Sequence, residues 1–89
     1  MSLMNSAGGS LSQAVEAAIL EALGEGSTVD VQGGGGGHFT VRTVSPAFEG
    51  KGLLAKKRLV LRAIAPFMDG DNAPVHAIDH LETLTPDEA

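Results

Sequence analysis

Three histidines and no cysteine define the metal chemistry open to this chain of 89 residues. His38 stands where the glycine run Gly33 to Gly37 meets an alternating apolar segment, and His76 stands where a turn-rich stretch meets another. A closed tetrahedral site needs four donors, and two imidazoles supply half of them. With no thiolate in the chain, the remaining donors must come from outside it, from acids, or not exist, in which case there is no metal site. His80 lies about 13 Å along an extended strand from His76, too far to share one ion, and reads as a structural or surface residue. Asp79 alternates onto the face opposite His76 and is a poor fourth ligand.

Other chemistries fit less well. Without cysteine there is no thiol nucleophile, and Ser6, Ser10, Ser12, Ser27 and Ser45 have no recognisable elbow or motif base beside them. The glycine run lacks the Gly-Lys-Ser/Thr ending of a phosphate-cradling loop, and a strand follows it where a dinucleotide fingerprint needs a helix. No enzyme is expected. Charge is segregated within a net value of −5: Lys51, Lys56, Lys57, Arg58 and Arg62 hold five of the six positive charges. That is either the solvated face of a helix or a contact surface for a local anionic partner.

These residues need elements to position them. Leu11, Val15, Ile19, Ala22 and Leu23 recur at helical spacing, with Ser10 and Gln13 as a capping box and Gly24 past the end. Val29 and Val31, then Phe39 and Val41, alternate as in two strands, Thr28 to Gln32 and His38 to Val44, paired antiparallel. The five glycines between them exceed the need of a two-residue hairpin, which predicts a mobile loop with His38 at its exit. Ser45 to Gly52 is turn-rich, with Phe48 plugged into the core. A second helix over 53–67 places Leu53, Val60, Leu61, Ile64 and Phe67 on one stripe, with Lys57 within it and Arg58 and Arg62 on the far side. Pro66 and Asp69-Gly70-Asp71-Asn72 end it. Val75 to Leu81 is a third strand whose two faces are not cleanly apolar and polar. Thr85, Pro86 and Glu88 carry a helix N-terminus signature.

The order helix, strand, strand, helix, strand predicts an α+β domain with helices on one face of a small three-stranded mixed sheet. Residues 10–89 form that single domain. Residues 1–9 are set apart as a disordered N-terminus, Met1-Ser2-Leu3 ahead of Met4 reading as a tag remnant. No apolar run approaches the ~20 residues of a membrane span, so a cytoplasmic protein with no membrane partner is expected.

The run from Gly37-His38-Phe39-Thr40-Val41 through Ser45-Pro46-Ala47-Phe48-Glu49-Gly50-Lys51 is followed by Arg58-Leu59-Val60, Val75-His76-Ala77-Ile78 and Thr83-Leu84-Thr85-Pro86. Taken together and in this order, over roughly residues 10 to 88, these segments resemble the BolA family. The resemblance implies a fold similar to the class II KH domain. It also implies an adaptor that pairs with a monothiol glutaredoxin and co-ligates a bridging [2Fe-2S] cluster, in iron-sulfur trafficking or iron-responsive regulation. His76 matches the family's ligand at the start of the last strand, and His38 matches the loop ligand in its histidine form. The other half of the cluster would come from the glutaredoxin and its glutathione, with no cofactor expected in the isolated chain. The free protein is expected to be a monomer or weak homodimer.

The alternative is a KH-like transcriptional regulator binding DNA through Lys51, Lys56, Lys57, Arg58 and Arg62. Against it, the turn Glu49-Gly50-Lys51-Gly52 is not the GXXG clamp of KH domains. With no Tyr or Trp, and with Phe39, Phe48 and Phe67 suited to the core, stacking platforms are missing. Two departures from the family pattern matter: its Arg-His-Arg in the second helix is Lys56-Lys57-Arg58 here, and the loop before His38 is nearly all glycine.

Overall fold

The computed structural model describes residues 7–89, with side chains from residue 11 onward. Its elements follow the order α1 (Ala7–Leu23), β1 (Thr28–Gly35), β2 (His38–Val44), a single 3-10 turn (Pro46–Phe48), α2 (Leu53–Met68) and β3 (Ala77–Leu84). The sheet order is β1-β2-β3, antiparallel between β1 and β2 and parallel between β2 and β3. α1 packs on α2 and β1, and α2 packs on β3. This is the α+β mixed sheet that the sequence predicts. Parallel pairing requires a crossover, which α2 supplies, and it brings the starts of β2 and β3 to the same end of the sheet.

α1 buries the i,i+4 stripe Val15, Ile19 and Leu23, with Leu11 packed partly against it. Ala22, expected on that stripe, is exposed. The helix begins at Ala7, so Ser10 lies inside it and not at its cap; the Ser10 side chain and residues 1–6 lie outside the described residues. Gly24 closes the helix at φ +86, and its N–H bonds Leu20 O at 2.9 Å, the left-handed stop that glycine allows. Across the layer, β2 sends Phe39, Val41 and Thr43 inward and His38, Thr40 and Arg42 outward. Phe48 is fully buried, as expected for a lone loop aromatic.

α2 differs from its predicted register. Its inward stripe is Lys56, Val60 and Ile64, flanked by Leu59, Ala63 and Phe67, so Lys56 and not Lys57 enters the apolar side. Leu53 and Leu61 are exposed. The stripe can begin with a lysine because its Nζ donates to Glu88 Oε1 at 3.2 Å, compensating the ammonium where its stem is buried. Pro66 lies within the last turn, and the helix runs to Met68, one residue past the expected end; Val75 N–H then bonds Phe67 O at 3.0 Å. Residues 86–88 form one turn. In it Glu88 Oε1 accepts from Thr85 N–H at 2.8 Å and from Thr85 Oγ1 at 3.1 Å. The Thr85 N–H, and next the Lys56 ammonium, hold the Glu88 carboxyl below its usual 4.5.

Candidate functional site

The glycine run is more ordered than its composition suggests. β1 continues through Gly33, Gly34 and Gly35, and the chain reverses over Gly36 and Gly37 alone, at φ +65 and +80. With Gly35 at φ +93, three consecutive residues have positive φ, and glycine takes such values without a Cβ clash, which suits a tight turn between the strands. The expected five-residue loop is therefore a strand end and a two-residue turn. His38 is the first residue of β2.

His76 arrives from the other side. Its N–H donates to Gly37 O at 2.7 Å, and Ala77 N–H shares the same oxygen at 3.2 Å. Its ring lies so close over Gly37 that a Cβ there would stand 2.9 Å from His76 Cγ. His38 pairs with Ala77 across the strands, so His38 and His76 flank one backbone junction at an open end of the sheet. β2 and β3 are neighbours in the sheet, so the two histidines stand on adjacent chain segments.

Both strands beside β2 slip register at this end. Gly33 faces Phe39 and Gly35 faces His38, which leaves Gly34 extra in β1; Ile78 faces Phe39 and His80 faces Thr40, which leaves Asp79 extra in β3. A bulge re-aims the side chain it carries. Here His38 Nδ1 lies 2.9 Å from Asp79 Oδ1, within hydrogen-bond distance, with both side chains about half exposed. Strict alternation over 75–81 had set Asp79 away from the site. It fails because Ile78 and Leu81, three positions apart, both pack against the core, which a period of two forbids without an inserted residue. The mixed faces of that strand were the available signal. His80 is exposed on the outer face beside Thr40.

Among the described residues, no group of three or more His, Cys, Asp or Glu side chains could hold a metal ion. The donor set therefore does not fit a closed site made by this chain alone. Two imidazoles are the number that replaces cysteine in Rieske [2Fe-2S] centres, so His38 and His76 are the residues that would hold such a group in part, with its other ligands coming from elsewhere.

The five basic residues separate. Lys51, Arg58 and Arg62 line one open groove of about 420 Å³ with Leu54, Ala55 and Leu59. Lys57 lines a different hollow, with Leu61, Asp79 and His80. Lys56 is buried against Glu88 and is not part of either. Leu53 and Leu54, 62% and 64% exposed, add apolar surface at the start of α2. Arg42, the sixth cation, bonds Glu82 Oε1 at 3.1 Å on the outer face. Among the described residues, no helix is long and apolar enough to cross a membrane.

Comparison with curated proteins returns no match. Solved structures do match. A bol-like protein from Babesia bovis is 36% identical with a TM-score of 0.67, the match covering 99% of this chain and 93% of that one. The BolA1 protein of Mus musculus is 33% identical with a TM-score of 0.67, covering 98% of this chain and 74% of that one. The BolA domain of SufE1 from Arabidopsis thaliana is 26% identical with a TM-score of 0.68, covering 91% of this chain and 98% of that domain. The family model described as BolA-like protein matches residues 11–88, from the first inward leucine of α1 to the glutamate that clamps Lys56. With that span accounted for and the same element order in its structural neighbours, the chain belongs to the BolA-like family.

Proposed function

We propose that this protein is an adaptor, not an enzyme, which binds a monothiol glutaredoxin and completes a bridging [2Fe-2S] cluster with it and its glutathione. The observation that carries this reading is that His38 and His76 flank one backbone junction beside Gly37 at an open sheet end, where the described residues form no metal-holding group of three or more. Two imidazoles and an exposed approach suit a site whose other half comes from a second protein. When bound, the cluster would supply redox and transfer chemistry, and imidazole in place of thiolate would raise its potential. This chain's own task is to present two neutral imidazoles, one from the first residue of β2 and one from the residue just before β3. Iron-sulfur trafficking or iron-responsive regulation is the role that follows.

The groove lined by Lys51, Arg58 and Arg62, with Leu54 beside it, is the docking surface we assign to an acidic partner with an apolar anchor. The test is anaerobic reconstitution with a monothiol glutaredoxin and glutathione, followed by visible circular dichroism. The expected spectrum differs from that of the glutaredoxin homodimer, disappears in His76→Ala and changes in His38→Ala. A wild-type spectrum identical to glutaredoxin alone would remove the adaptor reading.

The unburied cations on and just before α2 favour one second reading, a nucleic-acid-binding regulator. With Lys56 buried, Lys51, Lys57, Arg58 and Arg62 remain as phosphate contacts, for which a log-log salt slope of about −3 to −4 is expected. No DNA binding at low salt would end that alternative.

A further inference from the structure

Two extra residues press on the start of β2, and they are chemically unlike: Gly34 in β1 adds only backbone, whereas Asp79 in β3 adds a carboxylate. That carboxylate meets one imidazole nitrogen, His38 Nδ1, at 2.9 Å. An ionised carboxylate only accepts hydrogen bonds, so the contact requires the proton to sit on Nδ1. A neutral imidazole carries one such proton, which leaves its lone pair on Nε2. Metal-ligating histidines are commonly fixed in this way, by a carboxylate on the nitrogen that does not bind the metal.

The pair has little value as a structural tie, because its side chains are 50% and 57% exposed. Yet the register of β3 is broken where Asp79 enters, directly after Ile78, which faces Phe39, and ahead of His80, which faces Thr40. Bulges recur next to functional sites because they aim a side chain that regular pairing would place elsewhere. His76 is held by other means, its ring packed on Gly37 and its N–H on Gly37 O. His38, the first residue of β2 and half exposed, has Asp79 as its side-chain hydrogen-bond partner.

We propose that Asp79 is a positioning residue for His38, fixing the Nδ1–H tautomer so that Nε2 is the atom offered to the shared cluster. The proposal rests on His38 being a cluster ligand, and its first test does not need the cluster. Long-range proton–nitrogen correlation spectra of the free ¹⁵N-labelled protein, recorded at one alkaline pH where imidazoles are neutral, report the tautomer of each histidine. His38 is expected as Nδ1–H, while exposed His80 takes the ordinary Nε2–H form. Asp79→Ala should return His38 to Nε2–H, and Asp79→Asn, which keeps an acceptor oxygen, should retain Nδ1–H. An Nε2–H His38 in the wild type, or no change in Asp79→Ala with the amide spectrum of β2 and β3 preserved, overturns the proposal.

The second test repeats the glutaredoxin reconstitution. Asp79→Ala should weaken the mixed cluster about 10- to 100-fold and Asp79→Asn less. A tautomer change with undiminished cluster affinity would also overturn the positioning role. Absence of a mixed cluster in the wild type would instead bring down the ligand reading of His38, a failure recognised by the wild-type spectrum alone.

Discussion

Where β2 begins, at His38, it is bordered by a glycine turn, two register slips and side chains standing half in water; where it ends, at Val44, polar bonds tie it down on several sides. Thr43 Oγ1 donates to Glu82 O at 2.7 Å, Ser45 N–H donates to Leu84 O at 2.9 Å, and Ser45 Oγ accepts from Ser27 Oγ and from Ala47 N–H. Beside them Phe48 is fully buried and Lys56 meets Glu88. The closed end holds the strand; the open end is left exposed. On the proposed reading, stability and ligand presentation fall to opposite ends of one strand, and substitutions should separate them.

The largest effect is expected at the closed end. Phe48→Ala removes a fully buried ring from the main cluster and should cost about 3–5 kcal/mol in urea unfolding. A loss under about 1 kcal/mol, the size of an ordinary surface change, would break the comparison at its anchor. Next comes Gly37→Ala, which imposes a Cβ at φ +80 and 2.9 Å from His76 Cγ. It should cost about 1–2 kcal/mol, shift the His76 resonances and abolish the mixed cluster while far-ultraviolet circular dichroism stays native. Unmoved His76 resonances would show that the turn does not seat that ring.

A pH prediction sharpens the closed end. Because Thr85 N–H and Lys56 hold the Glu88 carboxyl below 4.5, its contribution is present above that value and is lost as pH falls through the lowered one. The Tm advantage of wild type over Glu88→Gln should therefore be constant near neutrality and shrink only in acid below 4.5. An advantage that persists unchanged to about pH 3 would mean that ionisation of Glu88 is not what matters. The smallest effect on folding belongs to the open end: His38→Ala should change stability by no more than about 1 kcal/mol, since it removes an exposed pair, yet alter the cluster spectrum. A large fall in Tm would show that His38 serves the fold.

Much of this was legible in the residues, and the reasons are specific. The stripe Val15, Ile19, Leu23 and the alternation Phe39, Val41 report directly on which side is buried, so α1 and β2 could be drawn from spacing alone. Helical spacing also indicated a stripe in α2, but not which lysine would join it, because Lys56 is compensated by Glu88, 32 residues away. The glycine run looked like slack because strand propensity is read from side chains, and glycine has none; pairing with His38 and Phe39 overrides it. Asp79 was misassigned for a third reason: a bulge changes the parity of everything after it, and parity is what a strand reading assumes.

The bond between His38 and Asp79 joins residues 41 apart, with all of α2 between them. Contacts of that separation form only after the crossover has closed and the last strand has docked, since the entropy of closing the chain must be met before such a contact adds anything. The arrangement at the open end is therefore among the last features to assemble during folding. A partly folded copy, however helical, has neither the Asp79 carboxylate beside His38 nor the His76 ring over Gly37, so on the proposed reading cluster uptake would double as a report that the chain has finished folding.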